Sequence, residues 1–83
     1  MSNSFNLGEY ITEIEAAQAY NIGAIIWYGE EAEFNNVPTP SIKTFDRVML
    51  TLKRQGWTYT EEEMRTIKNL LRVYLGMDFK ADA

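Results

Sequence analysis

The stretch "YNIGAIIWYGEEAEF", residues 20–34, decides what fold this chain can form. A five-residue apolar run lies between Gly23 and Gly29, and glutamates follow it almost at once. The run is rich in residues that favour β-strands, so a strand is one interpretation. A single strand would leave its backbone N–H and C=O groups without partners, unless a second copy supplied the pairing. We therefore interpret this stretch as helical.

The residues before it predict the same helix. In "NLGE", residues 6–9, Asn6 stands at an N-cap position with Glu9 three residues later, which is typical of a capping box. Apolar residues then follow at helical spacing, namely Leu7, Ile11, Ile14, Ala17, Ile22, Ile25, Tyr28 and Ala32. The pattern predicts a helix from about residue 6 to residue 34. A break near residues 20–23 is the alternative, because Asn21 and Gly23 are poor helix formers.

Two further helices are predicted at about 40–55 and 61–75. Thr39 and Pro40 suit the N-cap and first position of the earlier helix, and Gly56 provides a stop. Thr60 and Glu63 form a capping box for the later helix, which ends before Gly76. Their apolar faces contain Ile42, Phe45, Val48, Met49 and Leu52, and Met64, Ile67, Leu70, Leu71, Tyr74 and Leu75. Residues 77–83 are expected to be a C-terminal tail in which Met77 and Phe79 have reason to pack.

These elements predict one all-α domain over residues 1–83, a small bundle of three to four helices. With 83 residues the chain is too short for a second hydrophobic core. The 46% apolar content excludes intrinsic disorder, and the chain has no uncharged run long enough to cross a membrane. The N-terminal residues show no secretory signal, so a cytoplasmic protein is expected.

The chain contains no cysteine and no histidine. Thiolate and imidazole chemistry is therefore excluded, as are zinc sites built from those side chains. We expect no cofactor, no metal and no enzymatic activity. An enzyme that uses carboxylates, lysine, serine or tyrosine is kept as a third hypothesis.

Charge is unevenly distributed along the sequence. Residues 1–36 carry six glutamates and no basic residue, a net −6, whereas residues 37–83 carry eight basic and six acidic residues, a net +2, which together give the total of −4. Such asymmetry is typical of a protein with one face that repels phosphates and membranes, or of acidic and basic faces that meet. It is equally compatible with ordinary solvated helix positions.

The stretch at residues 27–34 is the candidate interaction surface. On a helical wheel Tyr20, Ala24, Trp27 and Phe34 form a second apolar stripe beside the first. A helix that is apolar on most sides is either central in its own bundle or shared with a partner. The predicted interaction residues are an aromatic anchor with an acidic rim, namely Trp27, Tyr28, Glu30, Glu31, Glu33 and Phe34. The other interpretation is that Trp27 and Phe34 only complete the core.

A basic stripe on the last helix supplies the alternative function. Arg65, Lys68 and Arg72 recur at helical spacing, which invites comparison with a DNA-binding helix-turn-helix regulator. The six-residue connection, the glutamates at 61–63 and the acidic chain favour a solvated face instead.

The sequence therefore predicts a small acidic, non-catalytic module that binds a basic surface of another protein. Its size and charge are typical of a phage or mobile-element accessory protein that acts as an inhibitor or adaptor on a host protein. Because residues 20–34 offer more apolar surface than two helices readily cover, self-association as a homodimer is also expected. No membrane contact is expected, and nucleic acid is the less favoured partner.

Overall fold

In a computed structural model of the protein, the structure describes residues 6–79. Within that range the chain forms helix α1 (Glu13–Tyr28), a 3-10 turn (Gly29–Glu31), helix α2 (Ile42–Arg54) and helix α3 (Glu61–Leu75), with no strand. The predicted all-α bundle is confirmed, with three α-helices. The run "AIIWY" forms the end of α1, so the helical interpretation of the opening stretch is correct.

α1 starts seven residues later than the sequence predicted. Thr12 is its N-cap, and the Thr12 hydroxyl accepts a hydrogen bond from the Glu15 N–H at 3.0 Å. Asn6 does not cap a helix, because its side chain instead accepts from the N–H of Gly8, which has a φ of +103°. That conformation is unfavourable for residues with a Cβ, and it diverts the chain from a helical path. Ile11 is 93% exposed and Ile14 is 56% exposed, so the predicted apolar stripe was wrong at these two members, whereas Leu7 packs against the core.

Residues 6–12, which we call the N-terminal strap, cross the outside of α1 and α2. Gln55 at the end of α2 accepts from the Asn6 N–H at 2.8 Å and donates to the Asn6 carbonyl at 2.6 Å. Arg47 donates to the Glu9 carbonyl at 2.7 Å and lies 4.6 Å from the Tyr10 ring centroid. These contacts join the start of the chain to α2 over a large sequence separation.

The two poor helix formers in α1 have packing roles, and the helix is continuous through residues 20–23. Asn21 is buried. Its side chain accepts a hydrogen bond from the Asn35 N–H at 2.8 Å and donates one to the Asn35 carbonyl at 3.1 Å. Gly23 lies against the strap, where a Cβ at this position would meet the Leu7 side chain at 2.8 Å. Asn21 and Gly23, which suggested a break in the helix, therefore contact residues that are distant in sequence.

α1 ends at Tyr28 rather than at Phe34, because the chain tightens into the 3-10 turn and becomes extended at Ala32. The segment that follows runs back to α2, which begins after Ser41. The Ser41 hydroxyl accepts from the Thr44 N–H at 3.1 Å. The predicted N-cap, Thr39, was wrong, since the Thr39 hydroxyl donates to the Leu75 carbonyl at 2.9 Å and ties this segment to α3.

α3 matches its prediction at both ends. The Thr60 hydroxyl accepts from the Glu63 N–H at 3.0 Å, and the Glu63 carboxylate accepts from the Thr60 N–H at 2.8 Å. These reciprocal bonds are the predicted capping box. Gly76 forms the C-cap, and the next residue, Met77, is buried.

α1 is the central helix, since α2 and α3 both pack on it while their own Cα atoms nowhere come within 8 Å of each other. Unlike its neighbours, α1 therefore has no single apolar face. Its central position accounts for much of the unusual apolar character of residues 20–28. The buried core consists of Ala19, Ile22, Ile25, Phe45, Val48, Leu52, Ile67, Leu71, Met77 and Phe79. In residues 6–79 no helix is both long and apolar enough to span a membrane.

Candidate functional site

Most of the predicted interaction surface lies on one exposed face at the C-terminal end of α1. Tyr28 is 56% exposed, and the side chains of Glu30, Glu31 and Glu33 in and after the 3-10 turn are also exposed. Tyr20, two turns earlier on α1, is 51% exposed. We call these five residues the acidic face.

Part of this face forms a groove of about 270 Å³ lined by Tyr20, Ala24, Tyr28, Glu31 and Glu33. Tyr20 and Tyr28 stand one helical turn on either side of Ala24, so their Cα atoms are roughly 12 Å apart along the axis. Ala24 is 3% exposed and provides a small apolar floor between the two rings. The groove thus combines two aromatic walls with carboxylates.

No ion pair within residues 6–79 neutralises Glu30, Glu31 or Glu33. The ion pair in this part of the chain joins Arg47 to Glu15, with 3.9 Å between nitrogen and oxygen, near the opposite end of α1. Residues 1–36 contain no lysine or arginine, so α1 and its 3-10 turn contribute no positive charge of their own. Three exposed carboxylates within four residues, without a counter-charge in residues 6–79, create a negative potential that attracts cationic groups.

Trp27 lies apart from the acidic face. It is half-buried and packs against the core, and its ring meets Trp57 edge to face with 6.0 Å between centroids. Trp57 in turn contacts Tyr59 at 5.1 Å. Trp27 therefore helps to hold the connection between α2 and α3 on the end of α1.

Phe34 is also half-buried, and its ring lies 6.5 Å from that of Tyr74 on α3. The structure thus brings Tyr28, Glu31 and Glu33 together around one groove and leaves Glu30 exposed, while Trp27 and Phe34 both contribute to packing. Tyr20 was missing from the predicted site, although the spacing Tyr20–Ala24–Tyr28 at i, i+4 and i+8 placed its ring on the same side of the helix as Tyr28.

The basic stripe on α3 is largely engaged with the chain's own C-terminal segment. The Lys68 ammonium and the Arg72 guanidinium lie 5.5 and 5.6 Å from the centroid of the Phe79 ring. Arg72 also donates to the Asn69 side chain at 3.4 Å, whereas Arg65 is exposed. Glutamates 61–63 are exposed on the first turn of the same helix, where a reading helix normally contacts DNA bases.

A second groove, of about 470 Å³, lies between the end of α1 and α3 with Trp57 on one wall. Its lining is mixed, since apolar side chains such as Ile26 and Leu70 alternate with threonines. No group of three or more acidic side chains converges as a metal site anywhere in the described residues.

Tyr10 in the strap is the one described residue with a clearly perturbed acidity. Partial burial raises the pKa of its phenol above the usual value of 10.0, the Arg47 charge acts to lower it, and the Glu15 charge acts to raise it. The phenol donates a hydrogen bond to the Leu7 carbonyl at 2.7 Å. Tyr10 is thus a structural group of the strap.

Comparisons with protein-family models, curated proteins and solved structures return no match to this chain. Its function is therefore inferred from the chemistry of its own surface.

Proposed function

We propose that the protein is a non-catalytic binding module whose acidic face docks on a basic surface of another protein. The observation that carries this proposal is the combination of three exposed, unneutralised carboxylates with two half-exposed tyrosines on one surface. Either feature alone is common on protein surfaces. Their combination matches the composition of interfaces, in which aromatic side chains provide contact area and charges lie at the rim.

The two kinds of side chain have separate roles in such an interface. Tyrosine contributes a large, rigid contact area with little loss of conformational entropy, so Tyr20 and Tyr28 slow dissociation. Rim carboxylates mainly increase the rate of association with a basic partner, and they disfavour acidic partners. The acidic face would therefore bind rapidly at low salt and more slowly as salt increases.

A partner that normally binds nucleic acid suits this face well. A basic surface that recognises phosphates also attracts carboxylates, because the main attraction is electrostatic. Docking there would block access of the nucleic acid, which is the action of an inhibitor. Docking beside that surface would make the protein an adaptor, and the acidic face supports both forms.

The proposal is tested with two triple variants of equal charge. The face variant carries Glu→Gln at positions 30, 31 and 33, and the control variant carries the same change at positions 9, 13 and 61, which are also exposed. Each variant has three fewer negative charges than the parent's −4 and therefore a net charge of −1. A difference in binding between the two variants therefore depends on where the negative charge was removed and not on how much was removed.

The parent and both variants are immobilised and used to capture proteins from a host lysate, and each captured protein is then purified for kinetic measurements. We expect the face variant to bind the partner with a slower association rate and a flatter salt dependence, while the control variant behaves like the parent. Equal binding by all three proteins would overturn the proposal, as would an equal loss in both variants. Circular dichroism must first show that each variant is folded.

The DNA-binding alternative has no structural observation in its favour, because two of its three basic side chains lie over Phe79. We expect duplex DNA to bind with a dissociation constant of about 10⁻⁴ M or weaker at physiological salt. A charge-reversal variant of Arg65, Lys68 and Arg72 is the matched test. Sub-micromolar, salt-sensitive binding that this variant abolishes would favour a DNA-binding regulator instead.

A further inference from the structure

We infer that the groove between Tyr20 and Tyr28 receives a single arginine side chain of the partner protein. This inference rests on the proposed function, and it names the chemical group that the acidic face recognises. The occupant follows from three properties of the groove, namely its aromatic walls, its small apolar floor and its uncompensated negative charge.

The walls and the floor define the shape of the occupant. Tyr20 and Tyr28 flank the groove, and Ala24 between them has only a methyl group and is 3% exposed. A long, unbranched side chain can enter such a groove with its aliphatic stem in apolar contact with the tyrosine rings. Its terminal group then lies beside a tyrosine ring, an arrangement that favours a cation through the negative face of the ring.

The charge of the groove determines the sign of the occupant. Glu31 and Glu33 line the groove, and no ion pair in residues 6–79 involves either carboxylate. A cation entering the groove therefore gains attraction without displacing an existing partner. An anionic or neutral side chain of the same length gains no such attraction.

Arginine fits these walls better than lysine does. Its guanidinium is planar, stacks on aromatic faces, and presents several N–H donors in a fixed fork that suits carboxylates. The lysine ammonium is a compact and strongly hydrated charge, so it gains less from a partly apolar groove.

Two other grooves of the described chain differ from this one. The groove beside Phe79 already contains a cation of the chain itself, Lys68. The groove beside Trp57 is lined by Glu62 and Glu63 but has a single aromatic side chain, Trp57, and the Glu63 carboxylate already accepts the Thr60 N–H in the capping box. The Tyr20–Tyr28 groove thus combines two aromatic side chains with two carboxylates that form no hydrogen bond or ion pair to other residues in 6–79.

The test is a nuclear magnetic resonance titration of the intact protein with three capped tripeptides, acetyl-Gly-X-Gly-amide, in which X is arginine, lysine or citrulline. Citrulline has nearly the shape of arginine without its charge. We expect saturable shifts of the Tyr20 and Tyr28 rings and of the Ala24 amide with the arginine peptide. The lysine peptide should bind roughly two- to fivefold more weakly, and the citrulline peptide should cause no saturable shift.

Variants locate the binding site. Tyr20→Leu and Tyr28→Leu should each weaken binding of the arginine peptide by roughly two- to fivefold, because each removes one aromatic wall. Glu31→Gln should weaken it by a similar factor. Tyr59→Leu is the matched control, since Tyr59 is 41% exposed but lies outside the groove, and it should bind like the parent.

The inference is overturned if the arginine peptide shifts signals elsewhere, or if citrulline binds equally well. If the groove does not respond while the face variant still loses its protein partner, the inference fails and the proposed function stands. If the groove binds arginine but charge neutralisation leaves partner binding unchanged, the groove assignment holds and the proposed function fails.

Discussion

Gly23→Ala tests the packing of the N-terminal strap on α1, because two opposite effects meet at this position. Alanine is favoured over glycine in a helix interior by about 1 kcal/mol, which would stabilise α1. The new methyl group, however, would lie 2.8 Å from Cδ1 and 3.0 Å from Cδ2 of Leu7. These separations are too short for carbon atoms, so the Leu7 side chain must move.

The cost of that movement can be estimated from burial. Full burial of a leucine side chain contributes about 1.5–3 kcal/mol, and Leu7 is only half-buried, so displacing it costs about 1–1.5 kcal/mol. The two effects nearly cancel. We therefore expect Gly23→Ala to change the free energy of unfolding by less than about 0.5 kcal/mol in the parent protein.

A double-mutant cycle with Leu7→Ala separates the two effects. Leu7→Ala removes the side chain that the new methyl group would meet, so Gly23→Ala should then stabilise the protein by its full helical preference of about 1 kcal/mol. For a domain of this size that difference corresponds to about 4–8 °C in Tm. Urea and thermal unfolding followed by circular dichroism give all four free energies.

The result that refutes this reasoning is an equal stabilisation by Gly23→Ala in both backgrounds. Equal effects would mean that Leu7 and Gly23 are not coupled and that the strap does not pack closely on α1. A large destabilisation in both backgrounds would instead indicate that another group limits the space at this position.

Four further predictions concern other contacts and the oligomeric state. Asn21→Ala should lower the free energy of unfolding by about 1–3 kcal/mol, because the N–H and C=O groups of Asn35 lose their hydrogen-bond partner. Gln18→Ala should lower it by less than about 1 kcal/mol, and denaturant titration of both variants compares the two losses. Phe79→Ala should cost about 3 kcal/mol through loss of its buried ring, which meets Phe45 edge to face, and a change below about 0.5 kcal/mol would contradict its place in the core. The folded-state pKa of Tyr10 lies above 10.0, so the phenol keeps its proton to a higher pH in the folded state than in the unfolded state. The free energy of unfolding should therefore fall as pH rises from about 10 through that higher pKa, and Tyr10→Phe should remove this pH dependence. Light scattering should show a concentration-dependent mass above 9.6 kDa if the protein self-associates as its sequence predicts, and a constant mass at that value would exclude a dimer.

The fold was predictable where local signals and packing agree. α2 and α3 each carry an apolar face and a glycine stop, and the Thr60–Glu63 capping box was found at the predicted positions, whereas the predicted N-cap of α2 was not. The start of α1 was not predictable in this way, because Asn6 and Glu9 imitate a capping box. The contacts that hold the strap extended, above all the pairing of Gln55 with Asn6, join residues 49 positions apart. Local spacing carries no information about such a partner.

The acidic face was predictable only in part. The exposed glutamates follow the apolar run and Tyr28 ends it, but Trp27 is half-buried and its ring packs against Trp57. No periodic pattern connects these two tryptophans, which belong to different elements. Tyr20 was assigned to an apolar stripe by the same helical wheel, and only its exposure in the structure identifies it as a surface residue.

The central position of α1 means that the molecule can be divided into two complementary fragments. A cut between residues 36 and 37 would place α1 on one fragment and both remaining helices on the other. Each fragment would then expose part of the hydrophobic core, since three of its ten buried residues lie on α1 and the other seven lie in residues 37–83. The fragments would carry net charges of −6 and +2, which favour their association. Association of the two fragments would then form the same core contacts as folding of the intact chain.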